Sequence, residues 1–263
     1  MEIDFVSVED LGLTLEQRKA VGFLAEFAKR MVVIAFPGHK MPSRASHLIK
    51  EIYRVTDDMM TGCFKSGPKL PCNKGCFWCC FLQVKVTPLE VMCIVDYLHS
   101  CLKPEELSKL QQRLVTADEK TQRTNGRQRV CAKVLCPLLV GGKCLAYPVR
   151  PIACRIYHSL DLADCKALLD DVSGSVTVHQ AISRMSMGIF AGLTVGLRSV
   201  GLQTCLLDLT TGLGIAMEEP GPGLMRTWLS GEPTFVEAEI GGAKEIESFY
   251  QALVDELGGL LQS

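Results

Sequence analysis

Eight of the chain's 13 cysteines fall into two groups, and the fold has to account for both. The first reads Cys72-x3-Cys76-x2-Cys79-Cys80, and the second Cys136-x7-Cys144-x9-Cys154-x10-Cys165. Gaps of two or three residues let one loop offer several thiolates to one ion. Soft thiolate donors select zinc or iron–sulfur chemistry, and each wants four ligands on a small tetrahedron. If the groups act together, the fold must return one loop onto the other. Eight thiolates suffice for two four-thiolate sites, or for one site plus structural thiols. Vicinal Cys79 and Cys80 need not serve the same ion, because neighbouring side chains tend to point in different directions.

Composition favours metal over disulfides. With 263 residues, 48% of them hydrophobic, the chain can bury a core without covalent staples. The start, Met1-Glu2-Ile3-Asp4, lacks the basic and then apolar run of a secretory signal. The most apolar stretch, Met185 to Leu197, falls short of the about 20 residues a membrane span needs. These features predict a cytoplasmic protein with reduced thiols, in which clustered cysteines are metal ligands or catalytic thiols. Twenty-eight basic residues against 29 acidic ones leave a net charge of -1, which supports neither a nucleic-acid groove nor an anionic membrane surface as partner. No partner protein is legible.

The periodicity predicts a mainly α fold: one domain over residues 1–263, with a cysteine-bearing core at 70–166 flanked by helices within 14–62 and 176–261. Thr14-Leu15-Glu16-Gln17 and Thr87-Pro88-Leu89-Glu90 are capping boxes, the second with proline at the first helical position. A helix is expected from Ser43 to about Met60 and another from Pro104 to about Thr124. Asp118 to Arg129 reads as an exposed helix end and loop. Gly141-Gly142 between apolar runs signals a hairpin, the one clear β element. Val176 to Val200 reads as a helix softened by Gly188, Gly192 and Gly196, and Leu202 to Met217 as another. Glu218 to Pro233 reads as a Pro/Gly-rich loop, and Lys244 to about Leu261 as a closing amphipathic helix.

A thiolate–metal site is negatively charged, so cations should attend it. Lys74, Lys143, Arg150 and Arg155 sit within the motifs, and Arg150 and Arg155 are the candidate donors to sulfur. Phe77 and Trp78 are candidates to shield the site from water. Cys93, Cys101 and Cys205 lie on apolar stretches and read as buried small hydrophobes, and Cys63 and Cys131 lean the same way. His158 reads as a polar neighbour of Cys154.

These motifs resemble a known family. Cys72-x3-Cys76-x2-Cys79-Cys80 followed by Val84-x-Val86-Thr87-Pro88-x-Glu90, and Cys136-Pro137-Leu138-Leu139 with the run from Gly142 to Arg155, are similar to the YkgJ-like or CxxCxxCC family of zinc- or iron-chelating domains. The likeness covers about residues 70 to 166, with three residues rather than two between Cys72 and Cys76. It implies metal chelation by the clustered cysteines and no particular reaction. A similar group, the flagellin lysine N-methylases, shares this kind of cluster, but no distinct feature of this chain carries that chemistry across.

Zinc and a 4Fe–4S cluster both accept four thiolates; the cysteine count, aromatic shielding and basic donors suit a buried cluster. An enzymatic alternative is radical S-adenosylmethionine chemistry, to which Cys72-x3-Cys76-x2-Cys79 and Ser230-Gly231-Glu232-Pro233 bear some likeness. That fold needs repeated strand–helix units, which this pattern lacks. Thiol redox catalysis at Cys79-Cys80 would need an accessible thiol of low pKa.

Overall fold

A computed structural model describes residues 12–38, 40–66, 70–72, 75–121, 124–218, 222–241 and 243–258. Residues 1–11, which carry the signal-peptide reading, and Lys74 lie outside them. The described chain is mainly α, with helices α1 (Leu15–Ala35), α2 (Pro42–Ser66), α3 (Pro88–Cys101), α4 (Pro104–Thr121), α5 (Gly126–Cys131), α6 (Ile152–Ile156), α7 (Leu162–Asp170), α8 (Gln180–Ser199), α9 (Leu209–Glu218), α10 (Pro222–Leu229) and α11 (Ala243–Leu257). Among the described residues no helix is long and apolar enough to cross a membrane.

The platform of the fold is α1 against α8. The Thr14 box opens α1: Gln17 N donates to Thr14 Oγ1 at 3.3 Å and Thr14 N to Gln17 Oε1 at 3.0 Å. Helix α8 is unbroken, contrary to the softening expected from its glycines. A Cβ on Gly192 would lie 1.8 Å from the Ala25 carbonyl oxygen, and one on Gly188 2.3 Å from that of Val21. The glycines, four residues apart on one face, therefore form the groove that admits the α1 backbone. Close approach, rather than flexibility, explains them. Helix α11 leans on this pair, with the Tyr250 hydroxyl donating to Glu26 at 2.8 Å.

Three strands form a second β element that the sequence reading does not expect: β1 (Lys85–Val86), β4 (Leu206–Asp208) and β5 (Glu239–Gly241), antiparallel in the order β1-β4-β5. The helix expected from Leu202 begins only at Leu209. Leu206, Leu207 and Asp208 are all buried, and so short an apolar run has no periodicity to tell strand from helix. The expected hairpin is present as β2 (Leu139–Val140) and β3 (Lys143–Cys144), turned by Gly141 and Gly142 at φ 56° and 73°. Both glycines take the left-handed conformation this tight turn demands.

Two further readings are corrected. The Pro/Gly-rich stretch after α9 contains α10, whose Trp228 is fully buried and donates its indole N–H to the Gln203 carbonyl at 3.3 Å. The polar stretch expected to be exposed ends in α5, opened by an Asn125–Gln128 capping box, and buries Arg129. One contiguous apolar cluster runs from Val21 to Leu253 and takes in α3, α8 and α9; the cysteine-bearing segments pack on its flank.

Candidate metal centre

The cysteine-bearing segments are short, and hydrogen bonds from outside hold them. Gly75, at φ 93°, turns the first segment before Cys76. Residues Trp78–Phe81 then form one 3-10 turn that carries Cys79 and Cys80. Phe77 and Trp78 stack with centroids 5.4 Å apart, half-buried over this turn, and Lys166 of α7 sits over the Trp78 ring. The backbone N–H of Cys136 donates to the Cys80 carbonyl at 2.8 Å, which ties the second cysteine group to the first. Hairpin pairing sets Cys144 across from Leu139, three residues after Cys136.

Cys154 lies in the five-residue helix α6, far too short to stand alone. Glu90 anchors it. One carboxylate oxygen accepts from Thr87 N at 2.9 Å and Thr87 Oγ1 at 3.0 Å; the other accepts from Ile152 N at 2.8 Å. A single fully buried carboxylate thus caps both α3 and α6, and its burial raises its pKa against those donors. Arg155 braces the other side of α6. Its nitrogens donate to the carbonyls of Arg150 and Pro148 and to Asp57 at 2.6 Å, and its guanidinium lies over Tyr53. All three nitrogens therefore have oxygen partners, and Arg155 positions the loop.

The thiols form two neighbourhoods. Cys72 lies in the field of Cys76, Cys79 and Cys165, and Cys165 in that of Cys79 and Cys76. The Cys72 thiol approaches the Ser159 carbonyl at 3.9 Å, beside Cys165. Cys80 feels Cys79, Cys136 and Cys154, and Cys154 feels Cys79, Cys136 and Cys144. The vicinal pair joins the two. Its thiols hydrogen-bond each other, which draws Cys79 down to about 7 and pushes Cys80 upward. Burial raises Cys72, Cys144, Cys154 and Cys165, and holds Cys136 at about 11. Among the described residues no three His, Cys, Asp or Glu side chains are placed to hold a metal ion directly.

The cations complete the setting. Arg150 stacks on Tyr147 with its guanidinium 4.2 Å from the ring centroid. Its charge favours thiolate at Cys79 and Cys144, and its buried Nε has no hydrogen-bond partner. Arg129, which the sequence reading passes over, is 3% exposed. It donates to the hydroxyls of Thr121 and Thr210, both at 3.1 Å, and has no carboxylate partner among the described residues. Its Nε is likewise buried and unpartnered, and its charge favours thiolate at Cys136. The Asn125–Gln128 box was the available signal for α5, and hence for an arginine carried inward. Lys143 is exposed.

The remaining cysteines divide. Cys93 and Cys205 are buried as expected, although Cys205 precedes β4 rather than sitting on a helix. Cys101, expected to be buried, is exposed at the end of α3, and Cys131 is exposed too. Cys63 is half-buried. His158 is enclosed, with both ring nitrogens unpartnered and the Phe64 ring edge-on at 5.0 Å.

In comparisons with known proteins, no family model matches the chain, and neither a curated protein nor a solved structure does.

Proposed function

We propose that this chain is a metal-binding protein of the cytoplasm whose clustered cysteines hold two thiolate centres, either zinc ions or iron–sulfur clusters. Cys80, Cys136, Cys144 and Cys154 would hold one, and Cys72, Cys76, Cys79 and Cys165 the other. The resemblance to the CxxCxxCC family points to the same ligands.

The observation that carries this reading is the pair of cations beside the thiols: Arg129 is buried and Arg150 half-buried, and each has a buried Nε with no hydrogen-bond partner. A buried cation without a counter-charge is strongly unfavourable. A four-thiolate centre is a net anion, and N–H donors to sulfur steady it. The donors are soft thiols drawn from two segments already hydrogen-bonded to each other, with Cys80 in the field of Cys79, Cys136 and Cys154. Bound zinc would supply a cross-link between the loops, whereas an iron–sulfur cluster would supply an electron-transfer centre. Binding must displace protons from the raised thiols, which couples metal affinity to folding.

The test is metal and acid-labile sulfide analysis, with a visible spectrum, on protein purified without oxygen. Cys154→Ser and Cys76→Ser should each lose about half of the bound metal, and the double variant all of it. Full metal in Cys154→Ser would overturn the ligand assignment. Loss of all metal in either single variant would overturn the division into two centres.

A further inference from the structure

A cavity of about 380 Å³ opens between α5, α7 and the first turns of α8. Its floor is apolar, with Leu82, Ile156, Leu168 and Met187 among its lining residues. Two arginines, Arg127 and Arg184, also line it, and no acidic residue does among the described residues. Neither arginine forms an ion pair or hydrogen bond among the described residues. The acids on neighbouring turns are engaged elsewhere: Asp164 accepts from Thr177 N at 3.0 Å, Asp171 from Ser173 N at 2.9 Å, and Asp170 faces Lys133. The N-terminal end of α8, which carries Ser183 and Arg184, adds its positive dipole to the same rim. A pocket of this size, apolar within and cationic at the mouth, matches the usual build of a small-molecule site.

We infer that this cavity binds a small amphipathic anion, with an apolar body against Leu168 and Met187 and a carboxylate or phosphate head between Arg127 and Arg184. The site goes beyond metal binding, although α7, which forms one of its walls, also carries Cys165. Tyr157 lines the cavity and lies in the field of Cys165, Cys79 and Cys72, on the side of the cysteine-bearing segments.

The test is isothermal titration calorimetry on the full chain, with octanoate, octyl phosphate and neutral 1-octanol as probes and metal content measured on the same samples. At least one anion should bind at one site per chain, at least about tenfold more tightly than 1-octanol. Arg127→Ala and Arg184→Ala should each weaken it by about tenfold, and Ser183→Trp should abolish binding by filling the space. Whichever anion binds more tightly identifies the head group. The inference fails if neither anion binds at millimolar concentration, if 1-octanol binds equally well, or if Arg184→Ala leaves the affinity unchanged. Anion binding in a metal-free sample would separate this site from the metal centres.

Discussion

The α1–α8 platform and the cysteine-bearing segments are organised by opposite means. The platform rests on close apolar contact between long helices, tight enough that glycine is required at Gly188 and Gly192. The cysteine segments have elements of two to nine residues, joined by hydrogen bonds that Glu90 accepts and that Arg155 and Cys136 donate. Long helices bury enough surface to hold themselves, whereas turns this short gain little from their own backbone bonds. On the proposed function, the second region depends on the metal it holds, and the first does not.

The comparison is broken most severely on the platform. Gly192→Leu places side-chain atoms inside the α1 backbone and should cost about 4 kcal/mol or more, read as loss of the cooperative unfolding transition. Chelation of bound metal should act the other way round. Amide exchange should quicken across residues 75–82 and 136–166 while α1 and α8 keep their protection; uniform quickening would show that the two regions do not differ in this way.

Smaller changes sharpen the contrast. Glu90→Ala leaves the Thr87 and Ile152 donors without a buried acceptor and should cost about 2 kcal/mol in chemical denaturation. Arg150→Ala should weaken metal binding by about 10- to 100-fold in a competition titration with a chelator, with less change in apo stability. Cys93→Ser, on the apolar face of α3, should cost about 1 kcal/mol and leave metal content intact. Metal loss in Cys93→Ser would place this thiol among the ligands.

Much of the fold was legible because long helices announce themselves twice, by periodicity and by caps. Thr14–Gln17 and Thr87–Glu90 mark helix starts that the structure retains. What escaped depends on tertiary contact. The glycines of α8 look like breakers until α1 lies against them. Leu206-Leu207 fits a strand or a helix equally until β1 pairs with it. Trp228 sits in a stretch whose prolines and glycines conceal a two-turn helix.

The candidate site divides along the same line. The cysteine spacing marked both groups, but Glu90's second partner lies 62 residues away, and no local pattern encodes it. Arg150 and Arg155 look equivalent in sequence; oxygen partners engage all three nitrogens of Arg155, whereas Arg150 keeps an unpartnered Nε. Arg129 was concealed by its polar neighbours, since the burial of one side chain in a charged stretch is decided by the surface it meets.

The most direct measurement is X-ray absorption at the edge of whichever metal copurifies with the chain under anaerobic conditions. The account predicts a first coordination shell of four sulfur atoms per metal, joined by an iron–iron shell if the centre is a cluster. A shell of nitrogen or oxygen donors, or protein that carries no metal when purified and takes up neither zinc nor a reconstituted cluster, would contradict it.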